Sequence, residues 1–175
     1  MSTSIIGFPR IGAHRELKRA TEKYWRHELS QAKLLETAAS LKTQNWDAQE
    51  AAGLSYISVG DFSFFDNLLD TANLFNIIPA RYQELNLNPL DRYFAQARGY
   101  QTETESVKAL PMKKWFNTNY HYIVPEFEPE TDVKLVGTQL FDDIAVASQH
   151  HHNDWFLPPN TGRPEKPGCL PSSRD

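Results

Sequence analysis

Four consecutive residues, Arg15-Glu16-Leu17-Lys18, have the types and spacing to hold an anion. At the opening of a helix, free backbone N–H groups and the positive end of the macrodipole already favour negative charge. Arg15 and Lys18 are three apart, so on a helix they share a face and could clamp successive carboxylates. Taken alone, the same residues also suit a solvated amphipathic helix with Leu17 turned inward. Lys114 and Asn119, in KKWFNTNYHY, form a second candidate group. A lysine ahead of Trp115-Phe116 is equally a surface residue whose stem lies on an aromatic ring, and Lys113 adds exposed charge. His121 titrates near neutrality, yet between two tyrosines it fits a hydrogen-bonded structural role. Asp61 and Asp66 invite a paired-carboxylate reading, but Gly60-Asp61 marks a loop and Asp66 can cap a helix. No residue is assigned as catalytic. His150, His151, His152, Asp154 and Cys169 carry metal-ligand chemistry without the ligand spacing that a structural zinc site needs, so no metal site is expected.

The elements that must position these residues read as alternating strands and helices. Ile5, Ile6 and Phe8 predict a short strand closed by Pro9 and Gly12, and Leu17, Ala20 and Tyr24 predict a helix from about His14. Ser30 can cap a second helix carrying Leu34, Leu35, Ala38, Leu41 and Trp46, which Gly53 ends. Leu54 to Val59 predicts a buried strand, followed by a helix with Leu68, Leu69, Ala72 and Phe75 that stops before Pro79. Pro89 suits the first turn of a helix ending at Gly99. Tyr120–Val124 and Lys134–Val136 are further strand candidates, with a helix over about Thr138–Ala147. This alternation predicts an α/β domain with a parallel sheet.

The chain has 175 residues, 40% hydrophobic and 12% aromatic, with a net charge of −4. These values suit one globular domain and argue against general nucleic-acid affinity. Arg10, Arg15, Lys18 and Arg19 against Glu16 nevertheless make the first 20 residues basic, with His14 beside them. The single cysteine excludes an internal disulfide framework. No apolar run is long enough to span a membrane and no signal-peptide pattern opens the chain, so a cytoplasmic location is expected.

Two longer segments, GFPRIGAHRELKRA (7–20) and KKWFNTNYHYIVPEF (113–127), together resemble the N-terminal signature blocks of cobalamin-independent methionine synthase. SVGDFSFFDNLLDTANLFNIIPARY (58–82) and LDRYFAQARG (90–99) fall between them in that family's order. The likeness runs from about Ile5 to about Ala147. It implies a methyltransferase that makes methionine from homocysteine and 5-methyltetrahydropteroyltriglutamate, built from two (βα)8 barrels and monomeric as a whole. It further implies that Arg15, Glu16, Leu17, Lys18, Lys114 and Asn119 contact the folate polyglutamate. The family's zinc ligands, homocysteine site and catalytic histidine belong to its C-terminal barrel, so no cofactor is expected in this chain. Asn67 stands where the family commonly has a histidine.

A barrel takes at least about 200–250 residues, so residues 1–147 are expected to form a partial TIM-type barrel, the first portion of the N-terminal one. Residues 148–175 are foreign in composition, with five prolines between Pro158 and Pro171, and are expected to be a disordered tail. The junction near Ser148 reads as a truncation, a frameshift or a mispredicted exon. The expected function is that of a methyltransferase fragment that keeps part of the folate polyglutamate site and is inactive alone. The alternatives are a stand-alone binding module for folate polyglutamates or other polyanions, and an inactive product prone to aggregate through open strand edges.

Overall fold

The structure, a computed structural model, describes residues 2–150 and 154–156, the last three and His150 by backbone only. Residues 151–153 and 157–175, with Cys169, His151, His152 and the expected proline-rich tail, lie outside the described residues.

The first helices form where the sequence places them. Helix α1, Glu16–Trp25, buries Leu17, Ala20 and Thr21. Helix α2, Gln31–Ala51, is capped by Ser30, whose hydroxyl accepts the Lys33 N–H at 3.3 Å. Gly53 follows it with a φ of 73°, in the left-handed region that glycine enters freely. Strand β1, Tyr56–Ser58, is tied to α2 by Gln49, whose buried side-chain oxygen accepts the Ser58 N–H at 2.8 Å. Asp66 caps α3, Asn67–Leu74, by accepting the Leu69 N–H at 3.0 Å. Helix α4, Ala80–Gln83, is a single turn. Helix α5, Pro89–Arg98, is capped by Asn88 and ends at Gly99.

Two strand expectations fail for identifiable reasons. Residues Ile5–Phe8 form no strand. Only Thr3 meets the β1 region, its carbonyl accepting the Ser55 and Tyr56 N–H groups; the Phe8 N–H goes to the Asp61 carboxylate, and Pro9 has none to offer. Lys134–Val136 is likewise not a strand: the Lys134 N–H is donated to Phe75 O and the Val136 N–H to Leu74 O, satisfying carbonyls at the end of α3.

The sheet expectation is only partly met. Strand β1 pairs in parallel with β6, Asp154–Phe156, with Ile57 opposite Trp155. The remaining strands form antiparallel hairpins: β2, Tyr100–Gln101, with β3, Ser106–Val107, and β4, Met112–Lys114, with β5, His121–Ile123. Connections this short permit antiparallel pairing only, because parallel neighbours need a crossover. The described residues thus make a mixed α/β fold with no closed barrel. Helix α6, Gln139–His150, and β6 carry regular structure past Ser148.

One apolar core gathers Leu34, Leu69, Tyr82, Phe94, Leu110 and Ile123, so it joins α2, α3, α4, α5 and the β4–β5 hairpin. A second packs Leu17 on Ala38, Leu41 and Phe62, and a third sets Trp46, Ile57, Val59 and Ala147 together. The third is stapled by an ion pair between Lys42 of α2 and Asp143 of α6, with side chains 19% and 8% exposed.

The loop after β1 runs inward, so its backbone needs internal partners. The buried Tyr93 hydroxyl accepts the Phe65 and Asp66 N–H groups at 3.1 and 3.2 Å. Beside it the Asp70 carboxyl faces the hydroxyls of Ser63 and Tyr93, and burial pushes it up to about 7.

Replacing Lys42 by Ala strands Asp143 without its cation. Urea denaturation is expected to show a loss on the order of 2–4 kcal/mol, and the double variant Lys42→Met, Asp143→Leu should recover most of it. The Asp70 shift also predicts a pH dependence. Its folded pKa lies above the unfolded value, so between about pH 4 and pH 7 the native state holds more protons and stability falls as pH rises. Thermal melts across that window should show a shallower fall for Asp70→Asn, with the variant the more stable above pH 7. Some slope should remain, because burial also raises Asp61 and Asp143.

Candidate functional site

The start of α1 is built by a tight turn. Arg15 holds a φ of 63°, its N–H donates to Gly12 O, and the Leu17 N–H donates to Ile11 O. Gly12 has a φ of 84°, and a Cβ there would meet the Glu16 carboxylate at 2.1 Å. Glu16 bends back to accept the His14 N–H at 3.0 Å. Its own backbone N–H, ahead of that of His14, holds its carboxyl below the usual range.

The four expected contact residues therefore divide. Leu17 is 1% exposed and is an anchor in the second core. Glu16 closes the turn. Arg15 and Lys18 are exposed, and the Lys18 ammonium lies 3.7 Å from Glu22 in an open (i, i+4) pair that water screens. Two of the helix-start N–H groups, those of Arg15 and Leu17, already serve the Gly12 and Ile11 carbonyls. What faces solvent at this helix start is side-chain positive charge.

Lys18 also borders a cleft of about 170 Å³, whose other walls include Arg10, Thr21, Trp25, Phe64 and Phe65. Arg10 is fixed by three backbone acceptors: its guanidinium donates to Ser63 O at 2.9 Å, Phe64 O at 3.1 Å and Phe65 O at 2.8 Å. Carbonyls stabilise the cation without neutralising it, so the cleft carries Arg10 and Lys18 against the single carboxylate of Glu22.

Lys114 and Asn119 lie on the β4–β5 hairpin, and both are exposed. Lys114 stands opposite His121. Asn119 lies in the turn, where its carbonyl is 3.1 Å from His121 Nδ1. Trp115 packs edge-on to Phe116 and Tyr122, and Phe116 itself is 84% exposed. The exposed His121 has this backbone carbonyl as its hydrogen-bond partner. No hydrogen bond or ion pair among the described residues joins Lys114 or Asn119 to Arg15 or Lys18. The hairpin touches the loop that Arg10 holds through the Tyr120 hydroxyl, which lies 3.4 Å from Asp66 Oδ2.

Sequence reading missed the parts played by Arg10, Tyr93 and Tyr120. The available signals were an arginine enclosed by Pro9 and Gly12, and a loop, SVGDFSFFD, too apolar to lie on the surface. Asp66 caps α3, and Asp61 accepts the Phe8 N–H at 2.6 Å, so each carboxylate has a backbone partner of its own. Among the described residues no three His, Cys, Asp or Glu side chains converge as a metal ion would require, so these residues do not fit a zinc site. Among them, no helix is long and apolar enough to cross a membrane.

Residues 2–155 match the family model described as cobalamin-independent synthase, N-terminal domain. The chain is 58% identical over 149 residues to the 5-methyltetrahydropteroyltriglutamate–homocysteine methyltransferase of Streptococcus sanguinis, covering 85% of this chain and 20% of that protein. The proteins of the same name from Streptococcus suis and Streptococcus pneumoniae are 56% and 55% identical, over 84% and 85% of this chain and 20% of each relative. The chain thus spans about a fifth of the length of these curated relatives. A single family model that accounts for all but the first residue and the last twenty leaves one assignment: the chain belongs to the cobalamin-independent synthase family, within its N-terminal domain.

Proposed function

We propose that this chain is the part of a cobalamin-independent methionine synthase that holds the polyglutamate tail of 5-methyltetrahydropteroyltriglutamate. The observation that carries the reading is the exposure of Arg15 and Lys18 at the start of α1, beside a cleft whose wall is the fixed cation Arg10. A glutamate chain presents carboxylates in series, and Arg15 at the cap of α1 and Lys18 in its first turn can meet them in series. Leu17 supports this by anchoring the turn, and Glu16 by closing it. Lys114 and Asn119 act from the hairpin on the same tail. The partial TIM-type barrel belongs to this reading as well.

In the whole enzyme a zinc ion would activate the homocysteine thiol by lowering its pKa. We place its ligands and the homocysteine site in the portion of the relatives that this chain does not span. The chain then contributes electrostatic holding and no bond-making step. The same reading makes the parent a cytoplasmic monomer whose partner is its small-molecule substrate, with no nucleic acid or membrane involved.

Isothermal titration with folates of different tail length tests the assignment. Lys18→Ala and Lys114→Ala should each weaken triglutamate binding several-fold, on the order of 0.5–1 kcal/mol per contact, and less at high salt. Monoglutamate binding should change little, because the extra carboxylates are what the lysines hold. Equal losses for the two folates would place the lysines elsewhere. The purified chain, free of host enzyme, should also form no methionine from homocysteine and the methylated folate, and methionine formation by it would refute that part of the reading.

A further inference from the structure

We propose that Asp61 is a positioning residue for the anion-holding start of α1, acting through a reciprocal clasp between two loops. The proposal rests on the reading of Arg15 and Lys18 given above. Asp61 follows β1 and reaches across to the N-terminal segment, where its Oδ2 accepts the Phe8 N–H at 2.6 Å. Two residues further on, Arg10 reaches the other way and donates to the carbonyls of Ser63, Phe64 and Phe65. Each loop thus offers one charged side chain to the other's backbone. Charge-assisted bonds of this kind are about twice as strong as neutral ones. Gly7 leaves the room that the clasp needs, since a Cβ there would lie 3.3 Å from Asp61 Oδ2. Asn45 of α2 adds a weaker hold, its amide donating to Pro9 O at 3.4 Å.

Only four residues lie between the clasp at Arg10 and the exposed cation at Arg15, and Ile11 and Gly12 within that span accept the first helix-start N–H groups. The position of α1's opening turn therefore follows from where Asp61 and Arg10 fix residues 8–10. Asp61 reaches neither the cleft nor the exposed cations, so its effect on a ligand is indirect.

Burial raises the Asp61 carboxyl above its ordinary range, against the opposing pull of the Phe8 N–H. Ser58 on β1 and Asp143 on α6 also face it, and Lys42 of α2 pairs with Asp143. Protonation weakens Asp61 as an acceptor, so the clasp loosens as pH falls through the raised pKa.

The test uses the full 175-residue chain, labelled with ¹⁵N. In the native protein the Phe8 amide proton should resonate far downfield and shift upfield on acidification, at a pH above the usual carboxylate range. Asp61→Asn keeps the shape and removes the charge. It should abolish that titration, speed amide exchange across residues 8–17 while leaving the α5 core amides protected, and lower affinity for 5-methyltetrahydropteroyltriglutamate several-fold. Gly7→Ala, which crowds the same oxygen, should act in the same direction. An Asp61→Asn variant with unchanged Phe8 titration and unchanged exchange over 8–17 overturns the proposal. So does one that loosens the loop without weakening triglutamate binding while Lys18→Ala does weaken it. A loosened loop together with an inert Lys18→Ala upholds the clasp and refutes the anion-site reading instead.

Discussion

A loop that runs through the interior must find hydrogen-bond partners for its own backbone, and residues 61–66 set the rest of the molecule around that demand. Two side chains from distant parts of the chain, Arg10 and Tyr93, meet it, and the loop's own Asp66 closes it. Arg10 takes three carbonyls, the Tyr93 hydroxyl takes two N–H groups, and Asp66 turns the chain into α3. Each is worth more than its bond alone, because removing it would leave buried polar atoms without water or partner. The N-terminal segment, α3 and α5 are therefore joined by polar contacts as well as by the apolar core. Phe62 and Phe64 pack edge to face, and Phe64 also meets Phe94, so the same loop serves both kinds of cohesion.

This arrangement explains what the sequence disclosed. Helix-start chemistry is local, so Ser30, Asp66 and Pro89 mark helix starts that the structure confirms. Apolar periodicity is local as well, which is why Leu17 is found inward and Lys18 outward. Strands depend on a partner elsewhere in the chain. Ile5–Phe8 and Lys134–Val136 have strand-like composition, yet their N–H groups are claimed by a carboxylate and by helix-end carbonyls. The β2–β3 hairpin escaped the reading for the same reason, since two-residue strands carry almost no pattern, whereas the strand expected over Tyr120–Val124 is found as β5. At the candidate site, exposed cations were legible as types in a spacing. Arg10 was legible only as a member of a basic cluster, because its role depends on a loop more than fifty residues away.

The hairpin that carries Lys114 is rooted in the core at one end and tied near its tip by the Tyr120 hydroxyl to Asp66. Ile123 is fully buried in the main core, while Trp115, Phe116 and Tyr120 are exposed beyond it. Its rings pack on one another, an arrangement that stiffens the tip without covering it.

The parallel pairing of β1 with β6 has a consequence for birth on the ribosome. Tyr56 and its partner Asp154 are separated by about two thirds of the described chain. At elongation rates of about 5–20 residues per second, β1 waits roughly five to twenty seconds for its neighbour to be made. Until α6 arrives, Trp46, Ile57 and Val59 lack Ala147 as a packing partner, and Lys42 has no counter-ion from Asp143. The nascent chain therefore passes through a period in which its earliest strand is made and its surroundings are not, a window in which a chaperone's apolar groove would find its natural substrate.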